Sequence, residues 1–187
     1  MFIRSERLFL RPGWPEDWQE LLGLIDDVGV VRNLARAPWP YTADDARDFA
    51  GLAQSPRFPH FFVTLPGAAG TRLIGSVGLA QGERGETEFG YWIAREHWGK
   101  GYATEAARAA LSVARTLGHR HLVAGHFIDN PASGRVLTKV GFRKTGAIGQ
   151  RFSLGRGHEV ASVEHTIDLG APSDCDGGDC DPAMQAA

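Results

Sequence analysis

One stretch constrains this chain more than any other: Trp98-Gly99-Lys100-Gly101-Tyr102-Ala103-Thr104-Glu105-Ala106. Two glycines one residue apart sit where a strand-like segment gives way to an alanine-rich helical run. Glycine admits backbone conformations and close approaches that a β-carbon forbids. The first turn of a helix offers unpaired N–H groups and the positive end of the helix dipole. Together these features predict a cradle for a phosphate or pyrophosphate. What surrounds the stretch decides whose phosphate that is.

Upstream, Ile3 to Pro12 reads as a first strand, and Glu16 to Ile25 carries Trp18, Leu21, Leu22 and Ile25 at helical spacing. Val28 to Tyr41 reads as irregular, and Thr42-Ala43-Asp44-Asp45 opens a second helix that stops before Pro56. Phe58 to Leu65 and Arg72 to Ala80 predict a hairpin across Pro66 to Gly70, and Glu86 to Ile93 a third antiparallel strand. In that strand Thr87, Phe89, Tyr91 and Ile93 share one face, while Glu88, Gly90 and Trp92 share the other. A helix from about Gly101 to Leu117 is closed by Gly118, and its run of alanines predicts close packing on a sheet. His121 to Ile128 is the next strand; Asn130 caps a helix that starts with Pro131 and ends at Gly141. Phe142 to Ile148 and Glu159 to Leu169 are two last strands joined by a polar Gly/Arg loop. This order is that of a mixed α/β domain over residues 1–169, with 170–187 expected to be a disordered tail.

The glycine stretch lacks the GxxxxGK[ST] pattern of a P-loop. It also departs from a dinucleotide fingerprint, because Thr104 occupies the third glycine's place and an antiparallel hairpin precedes it. From Ile3 to Leu169 the chain instead resembles the GNAT acetyltransferase superfamily, and within it the RimJ/RimL-like branch. The pieces that carry the resemblance are ERLFLRP (Glu6 to Pro12), PWPYTADDA (Pro38 to Ala46), LIGSVGL (Leu73 to Leu79), EFGYWI (Glu88 to Ile93), WGKGYATEA (Trp98 to Ala106) and NPASGRVLTKVGF (Asn130 to Phe142).

This resemblance implies a central, twisted, mostly antiparallel sheet of about seven strands, flanking helices and one parallel strand pair at the coenzyme site. It implies acetyl transfer from acetyl-CoA to a primary amine by direct attack. In that family a Q/R-x-x-G-x-G/A loop holds the pyrophosphate through backbone N–H groups, and Trp98 stands here in the first, normally polar, position. Implied coenzyme contacts are Trp92, Ile93, Trp98, Gly99, Lys100, Gly101, Tyr102, Ala103, Thr104, Asn130 and Ser133. Glu88 is implied as the base beside the thioester, its plainer role being a surface or a paired carboxylate. No tyrosine follows in the Asn130 helix, so Ser133 inherits the role of proton donor to the thiolate, beyond its place in the helix's first turn. Trp39, Tyr41 and Phe62 are candidates to line the acceptor site, or else to pack a lid.

The formal net charge of -2 gives no overall pull toward nucleic acid or anionic membrane. No apolar run reaches the roughly 20 residues of a membrane span, and a cytoplasmic address is the expectation. Cys175 and Cys180 lie in the Asp/Gly tail and imply neither a disulfide framework nor a four-ligand zinc site. His119 and His121 alternate across a strand, poor geometry for sharing a metal, so no metal is expected. The basic loop Arg151 to His158 reads as solvated unless it meets an acidic partner. The acceptor stays open between a peptide N-terminus and a small amine, the resemblance leaves room for a homodimer, and a non-catalytic acyl-CoA binding module on the same fold is the alternative.

Overall fold

Alternating apolar residues build a sheet and periodic ones build the helices that cover it, in a computed structural model that describes residues 1–68, 70–82 and 84–170. The expected tail, with Cys175 and Cys180, therefore lies outside the described residues apart from Gly170. In chain order the elements are β1 (Ile3–Arg4), β2 (Phe9–Arg11), α1 (Trp18–Ile25), α2 (Val28–Val31), α3 (Ala43–Ala50), β3 (His60–Gly67), β4 (Gly70–Gln81), β5 (Thr87–Ile93), α4 (Tyr102–Thr116), β6 (His121–Phe127), α5 (Pro131–Lys139), β7 (Arg143–Ser153) and β8 (His158–Asp168). They form a mixed α/β fold whose sheet runs β1-β2-β3-β4-β5-β6-β8-β7. Every neighbouring pair is antiparallel except β5 with β6. Among the described residues no helix is long and apolar enough to cross a membrane.

Three details differ from the reading of the sequence. Ile3 to Pro12 is two strands rather than one, because the Ser5 N–H bonds the Leu8 carbonyl at 3.0 Å and turns the chain back on itself. That accounts for eight strands where about seven are expected. Within the irregular Val28 to Tyr41 segment, Asp27 accepts from the Gly29 N–H at 2.6 Å and starts the short helix α2. The last hairpin is longer than predicted: β7 continues to Ser153, so Arg151 belongs to a strand and not to a solvated loop.

The sheet separates two cores, and β5 feeds both. Phe89 and Ile93 join α4's buried stripe of Ala106, Ala107, Ala110, Leu111 and Ala114. Trp92, on the opposite face, joins Leu21, Ile25, Val30, Val31, Ala46 and Ala50 of the first three helices. Alanine lets α4 lie close to the strands, and burial of large side chains such as Phe61, Phe62 and Leu73 supplies about 1.5–3 kcal/mol each.

Between β4 and β5 the spacing is set by a glycine. Gly75 pairs with Ile93, and a β-carbon there would stand 2.2 Å from the Trp92 carbonyl oxygen and 2.9 Å from the Ile93 Cα. Those are backbone atoms that no rotamer change can move. Gly75→Ala is expected to lower stability by about 1–3 kcal/mol, read as a lower urea midpoint at unchanged slope; an unshifted midpoint would show that the strands have slack.

Candidate active site

The parallel pairing of β5 with β6 lasts for two residue pairs, Thr87 with Leu122 and Glu88 with Val123. Beyond it β5 follows β4 through Ile93, and β6 follows β8 through Phe127, so the two strands part company. Each carries a helix at its far end: Gly101 caps α4 and Asn130 caps α5. A cavity of about 830 Å³ occupies this region, within the size range of ligand sites.

At the α4 side the chain needs glycine. Gly99 and Gly101 have φ of 74° and 82°, the left-handed region that other residues resist, and a β-carbon on Gly99 would meet nothing within 4 Å. The loop therefore presents bare backbone to open space at the start of a fifteen-residue helix. Trp98 does not face a ligand as a polar residue would; its indole N–H donates to the Ile93 carbonyl at 2.6 Å, tying the loop to the end of β5. Lys100 is folded away, its Nζ donating to the Glu96 carbonyl at 2.9 Å, and it does not line the cavity. The loop is braced instead by Arg7, which is not among the candidate site residues. Its guanidinium donates to the Lys100 carbonyl at 3.1 Å, pairs with Glu105 at 2.8 Å and lies 4.7 Å over the Tyr102 ring.

At the α5 side, Asn130 accepts from the Ser133 N–H at 3.3 Å as the cap. Gly134 allows the helix to rest on a histidine, since a β-carbon there would be 2.7 Å from the His126 ring. The Ser133 hydroxyl sits 2.8 Å from the Tyr91 hydroxyl, which also donates to the Ser133 carbonyl at 3.2 Å. Burial pushes the Tyr91 phenol up to about 12, against the opposing pull of its hydrogen bond to Ser133. A tyrosine is thus placed on the first turn of α5 by a strand and not by the helix itself. Its place in EFGYWI on a core-facing register was a usable signal, because a buried phenol needs a partner.

Glu88 lies between the two sides, and it is not free. Arg36 donates to its Oε2 at 2.9 Å, and Arg151 pairs with its Oε1 at 2.5 Å. A second carboxylate repeats the arrangement: Asp129 takes both Arg32 and Arg156 at 2.8 Å. In each case one arginine comes from the segment around α2 and the other from the β7–β8 hairpin. The arginines of the predicted solvated loop are therefore engaged on carboxylates, at sequence separations that no local pattern reveals.

The cavity is lined by Glu88, Trp92, Ile93, Trp98, Gly99, Gly101, Tyr102, Ala103, Thr104, Asn130 and Ser133, so one space gathers most of the expected residues. Tyr41 lines it too, its hydroxyl 3.3 Å from the Asp45 carbonyl. Phe62 and Trp39 do not. Phe62 is wholly buried and stacks on Phe49, and Trp39 is exposed on the surface. His119 is a buried tie between Thr87 Oγ1 at 3.0 Å and the Arg57 carbonyl at 2.7 Å. Among the described residues no group of three or more His, Cys, Asp or Glu is placed to share a metal ion.

A family model described as Acetyltransferase (GNAT) domain matches residues 7–143. The Bacillus subtilis protein named "Probable N-acetyltransferase YjcK" is 33% identical over 175 residues, covering 86% of this chain and 96% of that one. The "Uncharacterized N-acetyltransferase YoaA" of Bacillus subtilis is 43% identical over 82 residues, 42% of this chain and 46% of that protein, so the match spans about half of it. Among solved structures, a GNAT-family acetyltransferase from Bacillus anthracis superposes with a TM-score of 0.77 at 25% identity, covering 90% of this chain and 99% of that one.

The Asp129 clasp makes a pH-dependent contribution whose sign is fixed. Hydrogen bonding from Arg156, with Arg32 adding, holds its carboxyl down from 3.8 to about 2. A carboxyl depressed in the folded state stabilises fully above its ordinary value, and that contribution fades as pH falls through the folded one. Asp129→Asn is therefore expected to lower the melting temperature at pH 6 and to flatten its fall between pH 4 and pH 2. Parallel curves for variant and parent over that window would refute the clasp; solvent screening keeps the effect modest.

Proposed function

The chain belongs to the GNAT acetyltransferase family, and on that premise we propose that it moves the acetyl group of acetyl-CoA onto a primary amine by direct attack. The observation that carries this is a single cavity lined by the glycine loop of α4, the first turn of α5 and the carboxylate of Glu88. The GNAT family uses acetyl-CoA, which supplies an activated thioester. On this chain the backbone N–H groups from Gly99 to Thr104 fit its pyrophosphate, and Asn130 at the start of α5 fits the arm that follows.

In this reading the amine nitrogen attacks the thioester carbonyl, the new N–C bond forms, and the C–S bond breaks. The amine's surplus proton goes to Glu88, directly or through water. The departing thiolate takes a proton from the Ser133 hydroxyl, which is reprotonated from water, while the Tyr91 hydroxyl at 2.8 Å keeps its proton and steadies Ser133 by hydrogen bonding. An α-amine has an unperturbed pKa of about 7.7–8.0 against about 10.4 for a lysine side chain, so it asks less of the base. Together with the motifs shared with the RimJ/RimL-like branch, this supports an α-amine, at a peptide N-terminus or on a small molecule, over a lysine side chain.

The two arginines on Glu88 favour one other reading, a module that binds acyl-CoA without turning it over. A panel of amines and N-terminal peptides, assayed by free-thiol release with mass detection of the acetylated product, separates the two. Transfer to at least one acceptor is expected, with kcat reduced by about 10²–10⁴ in Glu88→Gln and also lowered in Ser133→Ala. Tight coenzyme binding with no product across the panel would leave only the binding module.

A further inference from the structure

The acceptor amine can be narrowed by charge, on the strength of the acetyl-transfer reading above. We propose that it carries an anionic group, a carboxylate or a phosphate close to the amine, and that Arg36 and Arg151 bind that group.

Both arginines line the cavity, with Glu88 between them. Two guanidiniums on one carboxylate leave a local surplus of one positive charge, and the surplus of the whole lining is the same once Asp45, Asp48, Arg135 and Lys139 are included. Arg36 spends only its Nη2 on Glu88, and its side chain is 62% exposed. Its other donors have no acceptor among the described residues. A guanidinium has five N–H donors in a planar fork that matches a carboxylate or phosphate, so Arg36 can hold Glu88 and a second anion at once. Arg151 holds Glu88 through its Nη2 and keeps its side chain 35% exposed. It reaches over β8 toward Gly125 of β6, where a β-carbon would stand 3.5 Å from its Nη1.

A purely structural role explains this arrangement less well. The β7–β8 hairpin is already fastened to the α2 segment without Arg36. The Leu154 N–H bonds the Ala35 carbonyl at 2.9 Å, the Ser153 hydroxyl bonds the Leu34 carbonyl at 3.1 Å, and Arg156 bonds the Arg32 carbonyl at 2.7 Å. An ion pair whose arginine is mostly exposed adds little to such an anchorage. The chemistry of Glu88 gives Arg36 a second consequence. An anion that draws Arg36 toward itself loosens its hold on Oε2 and leaves that oxygen open to accept a proton from the amine. Binding the correct acceptor and freeing the base become one event.

The test compares acceptors that differ only in charge: an amino acid with its own amide, and an aminoalkyl phosphate with its amino alcohol. With acetyl-CoA saturating, kcat/KM is expected to favour the charged member of at least one pair by about tenfold or more, and the preferred pair identifies carboxylate or phosphate as the source. In Arg36→Gln that ratio is expected to fall about tenfold, with partial recovery in Arg36→Lys. Arg151→Gln is expected to act in the same direction once its thermal melt shows that it folds. A change that merely disturbs structure lowers both members alike and leaves the ratio intact, which would overturn the proposal, as would equal use of charged and neutral amines by the parent protein. Should no acceptor turn over, the acetyl-transfer reading falls on its own. Calorimetry with the same pairs then decides the anion site, which fails if the acid binds no tighter than its amide.

Discussion

Two residue pairs of parallel sheet govern the rest of this molecule. Parallel strands need a crossover between them, and here the crossover is α4, which leaves β5 at one end and delivers β6 at the other. Had the ladder continued past Glu88 and Val123, β5 and β6 would have closed against each other and buried their backbone groups in pairing. Because each strand turns to its antiparallel neighbour instead, the sheet stays continuous while a wedge opens within it. Both helix starts fall at this wedge, and ligands of open α/β sheets bind at the carboxyl ends of strands for the same topological reason. The site is where the ladder stops.

Holding the wedge open requires fastenings from far away in sequence. Trp98 ties the glycine loop to the end of β5, and Arg7 ties the same loop to the N-terminal turn through Lys100 and Glu105. Ser5 joins that bond network, its hydroxyl 2.7 Å from Glu105. Hydrogen bonding from Arg7 and Ser5 outweighs burial and holds the Glu105 carboxyl below its ordinary range, although burial is the largest single influence. An acidic residue in the first turn also suits the helix dipole. The departure of Trp98 from the family pattern thus puts a mechanical tie where a polar side chain is the rule.

Periodicity made the elements legible, and steric necessity made the glycines legible. The EFGYWI strand alternates between two cores as its pattern requires, and Gly99 and Gly101 adopt the positive φ that their placement before a helix suggests. Three kinds of information were not local. A four-residue turn stabilised by Ser5 split the first strand in two. The partners of Glu88 lie on α2's trailing loop and on β7, so nothing near Glu88 announces them. The aromatic residues assigned to the acceptor site were chosen by type, and type does not distinguish Tyr41, which lines the cavity, from Phe62, which fills a core.

Tyr91 shows how a core-facing register can become chemistry. A phenol among apolar residues must place its hydroxyl on a polar partner, and the first turn of α5 offers two, the carbonyl and hydroxyl of Ser133. Tyr91 has one proton to give. With its pKa at about 12 the proton stays on the phenol across the neutral range, so Tyr91 is a standing donor and not an acid that ionises by itself. When it donates to the Ser133 hydroxyl, the serine's own proton is turned away from Tyr91 and available to another acceptor. When it donates to the carbonyl, the serine proton returns to the phenol oxygen. A thiolate arriving beside Ser133 stabilises the first arrangement over the second, because only there does an O–H face the negative charge. The proposed donor is therefore a coupled pair of hydroxyls, one from a helix and one from a strand, brought together by the wedge that the short parallel ladder leaves.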